Sequence, residues 1–147
     1  MLGSDVEARL ANIAAIKDIQ GAAGFAALRK NGKLKVPNIT PTVFVVPLRE
    51  VPADDLHGTQ TSVLQNRVYH IAVITVVRVA NDSRRERTNA LMDEVRAAIK
   101  HALYGWTPPG FDTPFTRGPS QLFDFSDAAH WHQDEYLTDR YEEPSSD

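Results

Sequence analysis

The sequence predicts a single domain of mixed α/β structure. Apolar residues recur at helical spacing over residues 5–19 and 91–103, which predicts two main helices. Two runs rich in valine and isoleucine, residues 42–48 and 61–80, predict strands. The chain has 147 residues and contains neither an internal repeat nor a linker, so all of it is assigned to one domain, 1–147.

Composition excludes several classes of protein. The chain has no cysteine, which rules out disulfides, thiolate metal sites and a cysteine nucleophile. The N-terminal stretch contains acidic residues and no long apolar run, so we expect neither a secretory signal nor a membrane span. The protein is therefore expected to be soluble and to be made in the cytoplasm.

Charge is distributed unevenly along the chain. Sixteen basic and nineteen acidic residues give a net charge of -3, which offers no general attraction to nucleic acid. Residues 134–147 carry six acidic side chains and one arginine, a net charge of -5. The end of this stretch, residues 142–147, is expected to be a flexible, solvated tail, with an electrostatic docking strip as the alternative.

The first third of the chain predicts helices followed by a connection. Ser4 or Asp5 is placed to cap the first helix, and FAAL, residues 25–28, predicts a short helical turn. The next stretch, RKNGKLKVPNITP, is basic and rich in turn residues, which predicts a surface connection. In the strand that follows, Pro47 lacks a backbone donor and so marks an edge or an exit.

The run at residues 61–80 is too long for the body of the domain. Twenty extended residues span roughly 65 Å, whereas a domain of this size is about 40 Å across. Either the run bends, or residues 61–67 project as a hairpin arm. Its inner half is apolar on both faces, so both must be covered. The second face would be covered by the FAAL turn and the C-terminal segment, or by another subunit.

The second main helix has an unusual start and an unusual end. Asp82 or Ser83 is the predicted cap, and three arginines, Arg84, Arg85 and Arg87, lie where the helix dipole disfavours cations. At the exit, the sequence predicts a left-handed Gly105, a Trp106 folded back on the last turn, and a block to re-entry by two prolines, Pro108 and Pro109. After Gly110 we expect irregular structure to Gln121, then short strands at 122–126 and 130–141 in a hairpin.

One group of residues is a candidate for metal chemistry. His130, His132 and Asp134 alternate along a predicted strand and so share a face, and two histidines with a carboxylate can hold zinc or iron. The competing interpretation is an exposed polar strand face. No nucleophile elbow or phosphate-binding glycine loop is present in the sequence, so we predict neither catalysis nor a cofactor.

The order of these elements resembles a known family. PTVFVVPLRE, then Gln65 and Val68 opening a long apolar strand, then LMDEVRAAIKHALYGWTPPG and a late Trp131 with Tyr136 and Tyr141 are similar to the tail terminator (tail completion) proteins of long-tailed bacteriophages, particularly the Mu-like prophage minor tail group. The resemblance covers residues 9–141. The basic segment 30–37 and the residues after 141 depart from the family pattern.

The resemblance implies a structure and a function. It implies a small α/β (α+β) protein with a mainly antiparallel sheet flanked by helices. Combined with the elements above, this predicts a mixed sheet of about four or five strands, two main helices and a projecting hairpin arm. It also implies a structural virion protein that forms a ring of six on the tail tube, stops tube growth and receives the head-neck connector. No membrane and no nucleic acid is expected as a partner.

Six residues are predicted to make contacts between proteins, and other functions remain as alternatives. For contacts with neighbouring subunits or the tube we predict Gln65, Arg67 and Tyr69 in the arm, and Arg84, Arg85 and Arg87 in the turn. A neck or head-tail joining protein is the nearest alternative. A metal-dependent enzyme using His130, His132 and Asp134, and a nucleic-acid-binding module, are the alternatives from other classes.

Overall fold

A five-stranded mixed sheet with helices on its faces forms the centre of the molecule. The computed structural model describes residues 1–30, 33–53, 65–79, 86–125 and 128–142. The helices are α1 (Leu2–Leu10), α2 (Ala22–Ala27) and α3 (Glu86–Leu103). The strands are β1 (Asp18–Gln20), β2 (Arg29–Lys30), β3 (Lys33–Leu34), β4 (Thr42–Pro52), β5 (Gln65–Arg78), β6 (Thr116–Phe125) and β7 (Ala129–Glu142).

The sheet is antiparallel except at one edge. Its strand order is β1-β4-β5-β7-β6, and only β1 pairs in parallel, with β4. The small β2–β3 hairpin stands apart as a second sheet. The predicted fold class, an α+β protein with a mainly antiparallel mixed sheet, is confirmed.

Both faces of the sheet are covered, as its apolar composition requires. On one face, α1 and α3 pack over a core that includes Val45, Val73 and Ile99. On the other, Phe25 of α2 packs edge-on against Phe44 and Trp131. Residues from the β2–β3 hairpin and its flanks join this second core, so much of the covering comes from residues 25–36. The C-terminal segment forms a strand of the sheet and not its cover.

The long strand keeps neighbours on both sides to its far end. β5 pairs with β7 from Arg78 opposite Ala129 to Gln65 opposite Glu142, and with β4 as far as Arg67 opposite Pro52. We call the ends of β4, β5 and β7 near Pro52, Gln65 and Glu142 the distal end. In the described residues this extension has three strands. Residues 61–64 of the predicted arm and residues 143–147 of the predicted tail lie outside the described residues.

The first helix is shorter than predicted. The predicted helix over 5–19 is wrong beyond Leu10, where single turns follow: the amide of Ile13 donates to Leu10 and that of Ile16 to Ile13. Residues 18–20 form β1 because pairing with β4 satisfies their backbone groups. The predicted caps are also wrong, since Ser4 and Asp5 lie inside α1 and Met1 precedes it.

Two further boundaries differ from the predictions. The strand predicted over residues 42–48 continues to Pro52 across a register shift between Pro47 and Arg49. The prediction of irregular structure as far as Gln121 is also wrong, because β6 begins at Thr116. Gly118 and Pro119 obscure this strand in the sequence: they occupy a register shift in an edge strand, where proline and glycine are tolerated.

Candidate assembly surface

Two of the predicted contact residues lie at the distal end in a network of charges. Gln65 is exposed, and its backbone pairs with Glu142. Arg67 donates from Nη1 to the Gln65 side-chain oxygen at 3.0 Å and from Nε to Glu50 Oε2 at 3.4 Å. Its Nε also lies 3.8 Å from Glu142 Oε2. Arg67 therefore links β4, β5 and β7 within one subunit while about a quarter of its side chain stays exposed.

Tyr69 is the third residue predicted in the arm, and it is buried. Its hydroxyl donates to Glu142 Oε1 and accepts a hydrogen bond from Arg140 Nε at 3.1 Å. Its ring meets Phe111 edge-on with 5.0 Å between centroids, and the Arg140 guanidinium lies 5.0 Å from the Tyr69 ring and 5.1 Å from that of Phe111. Tyr69 thus holds the loop after α3 against the distal end.

This network also changes the pKa values of two of its members, Tyr69 and Glu142. Burial, with the hydrogen bond to Glu142, raises the pKa of Tyr69 above its usual range. The same hydrogen bond, with Arg140, lowers the pKa of Glu142. The carboxylate is therefore the charged partner throughout the neutral range.

A cavity of about 600 Å³ opens beside this network. The start of α1, the outer part of β4 and the loop after α3 line it, with Leu2, Leu48 and Phe111 among its apolar residues and Glu50 and Arg140 among its charged ones. Among the described residues of its lining, His70 is the only histidine, and there is neither a serine nor a cysteine.

The predicted arginine cluster is only partly described. Arg84 and Arg85 lie outside the described residues, as do the predicted caps Asp82 and Ser83. Arg87 lies in the first turn of α3 and is exposed. The contact role of the three arginines stays a prediction.

The exit of α3 is a tight redirection of the chain. Gly105 has a φ of +86°, and its amide donates to the carbonyl of Phe115 at 3.0 Å. The Trp106 amide donates to Leu103 at 3.0 Å, and its carbonyl accepts from Phe115 at 2.9 Å. The half-buried Trp106 ring packs on the core beneath α1 and α3, 6.0 Å from the Phe115 ring. Glycine is required here because a left-handed residue ends the helix.

A residue from α1 secures this exit. Arg9 donates from Nε to the carbonyl of Ala102 at 2.6 Å, and its guanidinium lies 4.5 Å from the Trp106 ring centroid. One side chain therefore satisfies a C-terminal carbonyl of α3 and stacks on the aromatic ring. Of the two prolines that follow, Pro108 is buried and Pro109 is exposed.

The candidate metal residues share a face, but the face is not an exposed one. Asp134 is 3 % exposed and accepts two hydrogen bonds from Arg96 of α3, both at 2.9 Å, and one from Arg117 of β6 at 3.3 Å. The interpretation as an exposed polar strand face is therefore wrong, because α3 packs above this part of β7. Among the described residues, no group of three or more potential ligands is arranged to hold a metal ion.

The two histidines of this face differ in their surroundings. His130 is buried. His132 Nε2 is 4.0 Å from Asp134 Oδ1 and has no hydrogen-bond partner in the part of the chain that the structure describes. Burial, followed by the charge of Arg96, lowers the pKa of His132. The face is thus an ion-pair cluster that joins α3, β6 and β7.

A matching cluster on the opposite face was not found from the sequence. Glu135, 6 % exposed, accepts a hydrogen bond from Arg49 at 3.2 Å, and its Oε1 lies 3.3 Å from His70 Nδ1. Adjacent residues on a strand point to opposite faces. The Asp134-Glu135 pair within a strand covered on both sides was the available signal, because each buried acid needs a partner.

Comparison with known proteins identifies the family. The sequence profile of the phage tail terminator protein family matches residues 3–144. The chain belongs to this family. It is therefore a structural component of the virion tail, and its partners are other proteins of the virion.

Solved structures extend the comparison of folds. A chain described as "Virion of native gene transfer agent (GTA) particle" superposes with a TM-score of 0.58 at 13 % identity, covering 96 % of this chain and 95 % of that one. A second solved structure reaches a TM-score of 0.49 at 15 % identity, over 95 % and 89 % of the two chains. No curated protein matches the sequence.

None of the helices in the described ranges is long and apolar enough to cross a membrane. The buried carboxylates Asp134 and Glu135 pair with arginines of other elements, and so they hold the shape of this tail terminator protein.

Proposed function

We propose that this chain caps the end of a phage tail tube. Six copies form a ring on the last layer of tube subunits, stop further addition, and present a surface to the head-neck connector. The protein would then lie at the head-proximal end of the tube. The match of residues 3–144 to the tail terminator family carries the proposal.

The distal end supports a role in contacts between proteins. Exposed apolar side chains lie there on two strands, Leu48 and Val51 on β4 and Tyr141 on β7. Exposed large apolar side chains on an otherwise charged surface are frequent at protein interfaces. We keep Gln65 and Arg67 as contact residues, and assign Tyr69 to positioning the loop after α3, since its side chain is buried.

A polymerisation assay tests the cap. Purified tube protein is allowed to elongate with and without this chain, and tube lengths are measured from negative-stain images. We expect shorter tubes with an added density at one end only. Unchanged tube lengths and bare ends would reject the proposal. A chain that binds the connector but never a tube end would instead be the neck or head-tail joining protein.

The ring and its contact residues are tested on the same samples. The native mass of capping particles should correspond to six chains. Reversing the charge of Arg84, Arg85 and Arg87 together should weaken assembly, with reversal of the exposed Lys100 as the control. If assembly and tube length were unaffected, the arginine cluster would have no contact role.

A further inference from the structure

The outer side of β4 is covered by another strand only at its beginning. β1 pairs with β4 from Thr42 to Phe44. From Pro47 to Pro52 the strand is exposed, and within the described ranges it pairs there only with β5, on its inner side. We call residues 47–52 the free edge.

The free edge belongs to a strand whose composition would attract another strand. The run TVFVVPLREV is rich in valine, and the side chains of Leu48 and Val51 are 40 % and 38 % exposed. A long, exposed apolar strand with unpaired backbone groups is a template on which a further strand can form. Such an edge leads to aggregation unless it is blocked.

Two hydrogen bonds show which backbone groups of β4 point away from β5. The Ala53 amide donates to Asn66 of β5 at 2.8 Å, whereas the carbonyl of Pro41 accepts from Lys17, on the β1 side, at 2.8 Å. Successive residues of a strand direct their backbone groups to opposite sides. We therefore count forward from Pro41 and back from Ala53, and the two counts meet at the register shift that follows Pro47. The outward residues of the free edge are Pro47, Leu48, Glu50 and Pro52.

Both prolines of the free edge thus lie where an added strand would need a donor. Proline has no backbone N–H, so N–H donors point outward only from Leu48 and Glu50. The ladder with β5 loses no hydrogen bond, because the N–H that each proline lacks would point away from β5. The register shift after Pro47 also bends and twists the strand.

The opposite edge of the sheet is blocked by different means. β6 contains register shifts at two places along its ladder with β7. The exit of α3 covers the residue before β6, where the Gly105 amide donates to the carbonyl of Phe115 at 3.0 Å. Bulges interrupt the row of outward backbone groups and twist an edge away from a potential partner. β4 has a single register shift, and its prolines supply the rest of the block.

We propose that Pro47 and Pro52 close the free edge of β4 to strand addition, so that other copies and partner proteins meet this surface through side chains and not through a shared sheet. A strand added here would leave the carbonyls opposite each proline without a donor, and a buried carbonyl without a partner is costly. This property lies in the fold of the chain and does not depend on the proposed cap.

Amide hydrogen exchange tests the geometry in the unmodified protein. The amides of Arg49 and Val51 point to β5 and should be protected. The amides of Leu48 and Glu50 point outward and should exchange at least about tenfold faster in dilute solution. This alternation is measured residue by residue in NMR spectra.

The double variant P47T/P52T tests the role of the prolines. Threonine restores both outward donors and favours strands. We expect self-association to strengthen at least about tenfold in sedimentation equilibrium, and the amides of Leu48 and Glu50 to gain protection as the concentration rises. The matched control is P114T, which replaces an exposed proline in the loop before β6 and should associate as the unmodified chain does.

Each result supports or overturns the proposal. Association of P47T/P52T no stronger than that of the unmodified chain, or equally strong association of P114T, overturns it. Stronger association without added protection at Leu48 and Glu50 also overturns it, because the new contact then lies elsewhere. If urea unfolding shows that P47T/P52T does not fold, the unmodified chain decides: equal protection throughout residues 48–51 overturns the proposal, and alternation supports it.

Discussion

Replacement of Arg96 by methionine should destabilise the fold strongly. Asp134 is almost completely buried, and its two shortest hydrogen bonds, both 2.9 Å, come from Arg96. Methionine keeps much of the side-chain volume but leaves the carboxylate without its main partner. Removing one partner of a buried ion pair typically costs about 3–5 kcal/mol, because the remaining charge stays in a region of low dielectric.

Two features of the structure reduce this cost. Arg117 remains 3.3 Å from Asp134 and compensates part of the charge. The Arg96 side chain is itself about one quarter exposed, so solvent screens its interactions in part. We therefore expect a loss of about 2–3 kcal/mol for R96M, which corresponds to a fall in Tm of roughly 5–12 °C for a chain of this size.

Urea unfolding followed by fluorescence measures the effect. The buried Trp131 and half-buried Trp106 report on the two cores, and a midpoint independent of protein concentration ensures that association does not contribute. R117M is the matched control and should cost less than about 1 kcal/mol, since the Arg117 bond to Asp134 is longer and its side chain is more exposed. R96M/D134N should be more stable than R96M, because it removes the unpaired charge. A loss for R96M no larger than that for R117M would refute the assignment of Arg96 as the main partner of Asp134.

Three further predictions concern single residues. The lowered pKa of His132 means that the unfolded chain takes up its proton at a higher pH than the folded chain; stability is complete above the usual histidine pKa near 6.5 and falls below it. H132Q should therefore show a shallower loss of stability between pH 7 and pH 5 in urea midpoints, and an unchanged slope would contradict the assignment. G105A should lower the free energy of unfolding by about 1 kcal/mol, because alanine is strained at φ +86° although space is free. G3A in α1 should raise it by about 0.5 kcal/mol. Changes in Tm of the same sign for the two variants would refute this prediction. R9A should cost about 1–2 kcal/mol through the lost carbonyl bond and the lost contact with Trp106, and R9K, which keeps the charge, should recover little of it.

The sequence predicted best the elements whose pattern is long and continuous. The helical stripe over 91–103 falls within α3, where Val95, Ile99 and Leu103 are buried. The nearly continuous run of valine and isoleucine predicted β5 and its two apolar faces. The pattern of each element extends over several helical turns or many strand positions, so local pattern and tertiary packing agree.

Short elements were missed because tertiary pairing stabilises them. β1 has three residues, too few for a period, and it exists through its parallel ladder with Thr42 to Phe44. Its residues also fit the end of a helical stripe, which led to the overlong first helix. β6 contains Gly118, where a Cβ atom would come within 2.8 Å of both Leu137 Cδ1 and Glu135 Oε2. Only the packed sheet explains that glycine.

The pairing of arginines with buried acids could not be predicted from the sequence, for a different reason. Arg96 and Asp134 are 38 residues apart, and Arg49 and Glu135 are 86 apart. Nothing in a single sequence indicates which of sixteen cations meets which carboxylate. Strand alternation correctly placed the candidate metal ligands on one face of β7, but it could not indicate the arginine that reaches this face from α3.

The positions of the two buried acids bear on the register of the sheet. A slip of β7 by two residues against β5 would keep every side chain on its face, since strands have a period of two. It would place Asp134 opposite Ile71 instead of Val73, away from Arg96, and would shift Glu135 from Arg49 on the other face. Apolar burial alone distinguishes these registers weakly, whereas two ion pairs on opposite faces oppose the slip together.

This register sets where the distal end lies. A two-residue slip would move Tyr141 and Glu142 by about 7 Å along the strand, which would separate Glu142 from Tyr69 and Arg67 at the distal end. We infer that the buried ion pairs fix the same register of β7 against β5 in every copy of the chain, in addition to stabilising the fold. R96M/D134N, in which stability is recovered without the ion pair, separates these roles: doubled amide signals for β7 residues in NMR spectra would show a second register, and a single set would limit the pair to stability.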